Sequence, residues 1–170
     1  MAITQKQLQN WYDKEHLVLE AEAIAESDDL TRTGRKLRKL KETFAAIEPV
    51  TEAMDRVLSE RLFHAQQHFL NRRSQDMLRG KKDLDALKMY QIQQAQKTVQ
   101  LLQESLDEAG VLFAAITNSQ PNLGSDDLVE KLKQQNREIT QNLRRTEETI
   151  QTIIVHGPLS ACNLPEPPPT

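Results

Sequence analysis

The apolar residues of this chain recur in steps of three and four. Leu37, Leu40, Phe44 and Ile47 form the seam of a heptad pattern, which gives a helix one narrow apolar stripe and leaves the rest of it to water. The spacing resumes after Pro49 through Met54, Val57, Leu58, Leu62, Ala65 and Phe69. It returns in a third segment with Leu84, Leu87, Leu102, Leu106, Ala109, Phe113 and Ile116, and in a fourth with Leu128, Leu132, Ile139, Leu143, Ile150 and Ile153. A stripe of this kind is buried only against another stripe. The pattern therefore predicts an all-α fold, an elongated, coiled-coil-like antiparallel bundle of four to five helices.

Composition agrees. Aromatic residues make up 4% of the chain and there are five glycines, while Leu, Ala, Glu, Gln, Lys and Arg, which lose least on entering a helix, dominate. The net charge is only −3, too small to hold apolar stripes apart. A length of 170 residues suits one domain. No apolar run reaches the eighteen or so residues of a membrane span, and MAITQKQLQNW lacks the pattern of a secretion signal. These features lead to the expectation of a soluble, cytoplasmic protein. The one cysteine, Cys162, has no partner for a disulfide within the chain.

Punctuation divides the helices. A first helix is expected from Thr4 to Glu26, with Leu8, Trp11, Leu17, Val18, Ala21, Ile24 and Ala25 on a broad, irregular face. Ser27 to Leu30 supply capping residues before a second helix. Pro49 lacks an amide hydrogen and predicts a kink or a very tight break. In LRGKKD, Leu78 to Asp83, a left-handed Gly80 and a capping Asp83 predict a reversal. The competing reading is an unbroken helix, since one glycine costs only about 1 kcal/mol. NSQPNLGS, Asn118 to Ser125, predicts a turn between two long antiparallel helices. Gly157 and Pro158 end the last one. Residues 1–157 thus read as a single helical-bundle domain and 158–170 as a Pro-rich tail or the start of a linker.

Charge is unevenly placed. Residues 1–29 carry two cations and seven anions, whereas residues 30–41 carry six cations and no anion, five of them Arg35, Lys36, Arg38, Lys39 and Lys41. Folding the two segments into a hairpin is expected to neutralise much of the positive field internally, in preference to binding an acidic protein, a lipid headgroup or a phosphate. A second basic cluster holds Arg72, Arg73, Arg79, Lys81 and Lys82. Some of these cations suit a helix C-terminus, and no aromatic stacking platform accompanies either cluster.

Candidate chemistry is sparse. His64 and His68 stand one turn apart with Glu60 a turn earlier, a weak metal-ligand pattern without HExxH or a further cluster. With Leu62 facing inward, His64 and Glu60 are expected to point into water. There is no glycine-rich phosphate loop, no G-x-S-x-G and no supported Cys/His pair, so no enzyme activity, cofactor or small-molecule substrate is expected. Gln91, Gln135 and Thr146 fall at or near the seams, where a polar residue either fixes register or marks slippage of the stripe.

The expected function is that of a noncatalytic helical interaction module, an adaptor, scaffold or assembly subunit that self-associates or docks partner helices. Its partner-binding residues would be Leu102, Leu106, Phe113, Leu132, Ile139 and Ile150. The alternative is binding to nucleic acid or acidic membrane through the two basic clusters.

Overall fold

The computed structural model describes residues 3–27, 29–119 and 126–159. They form six α-helical segments: α1 (Gln5–Ile24), α2 (Leu30–Ala46), α3 (Glu52–Leu70), α4 (Arg72–Gly80), α5 (Leu84–Ser119) and α6 (Asp126–His156). The described residues contain no strand, and α3 and α4 are parted by Asn71 alone.

Each break has a local cause. Thr4 and Gln7 form a reciprocal capping box at the start of α1, Gln7 N donating to Thr4 Oγ1 at 3.1 Å and Thr4 N to Gln7 Oε1 at 2.7 Å. Asp29 caps α2 through Arg32 N at 3.0 Å, and Thr51 caps α3 through Met54 N at 3.2 Å. At Pro49 the chain makes a true break, not a kink: Ile47 is already extended, with ψ 133°, and residues 47–51 are non-helical. The break is tied down, because the Asp55 carboxylate accepts from Val50 N at 3.0 Å and Gln7 Nε2 donates to Val50 O at 2.7 Å. Ile47, expected on the seam, is therefore only half-buried outside the helix, and Val50 takes the buried place.

The reversal near Gly80 is present, but its left-handed residue is Lys82, at φ 55°. Lys82 N donates to Arg79 O at 3.0 Å and Asp83 N to Leu78 O at 3.0 Å, the two bonds of a Schellman cap in which C′ is Lys82. Gly80 stays in the last helical turn. Asp83 caps α5 as expected, accepting from Ala86 N at 3.2 Å. The predicted turn at Asn118 to Ser125 falls largely outside the described residues. Its flanking helices are long, 36 and 31 residues, or about 54 and 46 Å.

Contacts give the directions. α1 and α3 are parallel, with Gln7 at Val50, Lys14 at Asp55 and Glu26 at His68. α5 runs against α3, Arg61 meeting Ser105 and His64 meeting Thr98. α6 runs against α5, Lys88 Nζ reaching Ile154 O at 3.3 Å. α2 returns along α1 and sets Phe44 beneath Lys14. The main core gathers α1, α2 and α3 with parts of α5 and α6 around Trp11, whose ring lies 5.1 Å from that of Phe113. Leu102, Ile139 and Leu143 form a second cluster.

Candidate functional site

The six apolar residues expected to meet a partner face inward. Leu102, Leu132 and Ile139 are buried, and Leu106, Phe113 and Ile150 are half-buried; all but Ile150 belong to the two apolar clusters formed between helices of the same chain. Burying a leucine contributes roughly 1.5–3 kcal/mol, so these residues are held by the fold itself.

What faces outward is a different apolar stripe. Phe63, Leu70 and Met77 stand seven residues apart along α3 and α4 and are 61%, 62% and 60% exposed. Beside Phe63, a groove of about 390 Å³ opens between α3 and α5, lined by Ser59, Glu60, Phe63, His64, Gln67 and Lys97. Glu60, Phe63, His64 and Gln67 are related as i, i+3, i+4 and i+7, the diamond that receives a side chain from a neighbouring helix in knobs-into-holes packing.

Arg35, Lys36, Arg38, Lys39 and Lys41 are all exposed on α2, while Leu37, Leu40 and Phe44 face the core. The expected internal neutralisation does not take the form of ion pairs. None of these five cations forms an ion pair with a described residue; Glu15 and Glu22 of α1, and Glu26 just beyond it, turn toward α3. In the second cluster, Arg72 is buried and donates to Ser27 O, and Arg79 Nη2 donates to Leu159 O at 2.5 Å. Lys81 and Lys82 are exposed, and the Arg73 side chain lies outside those described. The bond from Arg72 to Ser27, together with the closeness of Gly34 to the Phe69 ring, brings the start of α2 and the start of α4 to one end of the bundle.

The histidines do not converge. His68 Nε2 meets Glu26 Oε1 at 2.7 Å, and Glu60 pairs with Arg56 at 3.2 Å. His64 is not in open water: it is half-buried, with Nε2 2.8 Å from Thr98 Oγ1. The Thr98 hydroxyl gives its hydrogen to Gln94 O at 3.1 Å, so His64 Nε2 is the donor. Burial, reinforced by the charges of His68 and Lys97, lowers the His64 pKa from 6.5 to about 4. Among the described residues no three His, Cys, Asp or Glu side chains are grouped to hold a metal.

Two ionic contacts between α1 and α3 lie outside the expectations drawn from the sequence. Arg61, fully buried, donates from Nη1 to Glu15 at 2.7 Å and to Ser105 Oγ at 2.9 Å, and forks onto Glu22 from Nε and Nη2 at 3.2 and 2.5 Å. Burial works against the charge on Arg61, but Glu15 and Glu22 together outweigh it and hold the guanidinium above its ordinary pKa. Burial pushes the Glu15 carboxyl up, Arg61 opposes that, and Glu22 adds to it. Both directions follow from one guanidinium serving two carboxylates. Lys14, next to Glu15 in sequence, bonds Asp55 at 2.9 Å and lies 4.9 Å from the Phe44 ring centre.

A cavity of about 410 Å³ lies among α1, α3, α4, α5 and α6, lined by apolar residues such as Leu102 and Ile153 and by polar ones such as His64, Gln94 and Thr98. Three of its threonine hydroxyls donate to main-chain carbonyls one turn back, Thr98 to Gln94, Thr146 to Asn142 and Thr149 to Arg145. None of the three therefore has its proton directed at a base, as an activated nucleophile requires. Gln91 closes one side, exchanging bonds with Leu159 (Nε2 to O at 3.2 Å, N to Oε1 at 2.7 Å). Gln135 Nε2 donates to Tyr12 O at 3.0 Å. These two seam glutamines thus join neighbouring elements, while Thr146 bonds only within its own helix.

Residues 2–53 are similar to a family described as Domain of Unknown Function (DUF349). The matched part holds α1, α2 and the break after it, under a third of the chain's 170 residues. No curated protein and no solved structure matches the chain. No helix of the described residues is long and apolar enough to cross a membrane.

Proposed function

We propose that this chain is a noncatalytic helical interaction module, an adaptor or assembly subunit that docks a helix on the outer face of α3 and α4. The reading rests on Phe63, Leu70 and Met77, three large apolar side chains at heptad spacing, each about three-fifths exposed. A stripe at that spacing is the form in which helices offer themselves to other helices. The committed hydroxyls of the inner cavity favour binding over chemistry. Leu70→Asp tests the reading: it should leave thermal unfolding unchanged and remove association with whatever the wild-type chain binds. Association that survives Leu70→Asp counts against it.

A second reading, contact with a polyanion such as nucleic acid or acidic lipid, is favoured by one observation: the five α2 cations lack ion-pair partners among the described residues. Such binding releases counterions and weakens steeply with salt. Retention on duplex DNA or acidic vesicles at low salt, lost in an R35E/K36E/K39E variant, would support it. No retention at low salt would dismiss it.

A further inference from the structure

We propose that the helix docked on α3–α4 is the same face of a second copy of this chain, packed antiparallel about a two-fold axis at Leu70. This rests on reading the protein as an interaction module. A two-fold interface must be self-complementary: if one residue meets another, the second meets the first in the other protomer. The pattern around Leu70 meets that condition. Phe63 and Met77 are equidistant from it, so each protomer's Met77 faces the other's Phe63, beside the groove of about 390 Å³. The knob and the hole lie on one stripe and are exchanged by the axis.

Charge follows the same symmetry. In the first turn of α3 Glu52 is exposed while Asp55 is turned inward to Lys14 and Val50, and Glu60, which pairs with Arg56, lines the groove. Arg79 lies at the end of α4 and Lys81 and Lys82 just beyond it; Arg79 is turned inward to Leu159, whereas Lys81 and Lys82 are exposed. Antiparallel pairing about Leu70 sets Glu60 of one protomer near Lys81 of the other, twice. A parallel pairing sets like against like, cations beside cations at Lys81, and is disfavoured. The apolar stripe from Phe63 to Met77 spans 14 residue steps along α3 and α4, about 21 Å at the helical rise, a short seam that should give a concentration-dependent dimer.

Sedimentation equilibrium from low to high micromolar concentration reads the outcome. Wild type should pass from monomer to dimer. Leu70→Asp should stay monomeric, with a thermal midpoint equal to that of wild type at low micromolar concentration, where both are monomers, showing that the loss is not unfolding. Glu60→Lys or Lys81→Glu alone should weaken dimerisation roughly tenfold, since each pair occurs twice, and the double variant should restore it. On a Cys162→Ser background, a mixture of Phe63→Cys and Met77→Cys chains should oxidise to the mixed disulfide. A wild-type chain that is monomeric throughout, a double variant that fails to restore dimerisation, or a preference for the Phe63→Cys homodimer overturns the proposal. If wild type is monomeric but binds another protein in a way that Leu70→Asp abolishes, self-docking is wrong and the module reading stands. If neither association is seen, both fall.

Discussion

Replacing Arg61 with methionine should be the most damaging single change to the α1–α3 contact. The substitution keeps an unbranched side chain of similar reach and deletes four hydrogen bonds, to Glu15, to Ser105 and two to Glu22. Glu15, 2% exposed, would be left as a buried carboxylate without its cation. Breaking a buried pair from one side costs about 3–5 kcal/mol, a large part of the roughly 5–15 kcal/mol that stabilises a domain. For a chain of this size that lowers the melting temperature by about 6–20 °C. Urea unfolding followed by circular dichroism measures it. The deficit should depend on pH with a definite sign. A carboxyl whose folded pKa is raised favours the folded state below its unfolded pKa and loses that advantage as pH rises through the folded value; burial already raises that of Glu15, and loss of Arg61 raises it further. Arg61→Met is therefore worst at neutral pH and improves toward the carboxylate range. The triple variant Glu15→Gln, Glu22→Gln, Arg61→Met, which removes the charges together, should recover most of the loss. A single-variant cost under about 1 kcal/mol, or a triple variant no better than the single, would refute the reasoning.

Lys82→Gly should stabilise the chain by about 1 kcal/mol, because Lys82 sits at φ 55° where only glycine is free of a Cβ penalty; a chemical-denaturation midpoint shift checks it. Gly80→Ala should add about 1 kcal/mol, since Gly80 is helical and a Cβ there meets nothing within 4 Å. The His64 pKa is lowered to about 4, so the unfolded chain takes up the proton first as pH falls. Stability should drop between pH 6.5 and 4, by about 1–2 kcal/mol after discounting for the ring's partial exposure, and His64→Gln should flatten that slope. Gln91→Ala frees the main chain at Leu159 and leaves Arg79 as its one remaining side-chain anchor among the described residues; proteolysis near residue 159 should accelerate while helix content stays unchanged.

Spacing made the helices readable. The stripes through Leu102, Ile139 and Ile153 located α5 and α6 because a heptad pattern depends only on local periodicity. Which stripe meets which was not readable, since pairing is a tertiary choice among similar seams. The stripe of Leu102 and Ile139 therefore reads as a partner surface although the fold buries it within the chain, and the acids of α1 read as neighbours of α2 although Glu15 and Glu22 meet Arg61 of α3. The overlooked signal lies in register. Leu8, Trp11, Glu15, Val18, Glu22 and Ala25 alternate by three and four, as do Met54, Leu58, Arg61 and Ala65. Opposite charges therefore stand at seam positions of two helices, and reading those positions without regard to hydrophobicity would have paired α1 with α3. His64 was misplaced for a related reason: α3 packs on both α1 and α5, so a single inward direction taken from Leu62 does not describe it. Lys82 carried no signal, because a Schellman cap is ordinarily announced by glycine.

The most direct test compares Ile139→Asp with Leu70→Asp, following cooperative unfolding and solution mass together. The account predicts that Ile139→Asp abolishes the unfolding transition, while Leu70→Asp unfolds like wild type and loses association alone. A folded Ile139→Asp chain that no longer associates, beside a Leu70→Asp chain that associates normally, would contradict it.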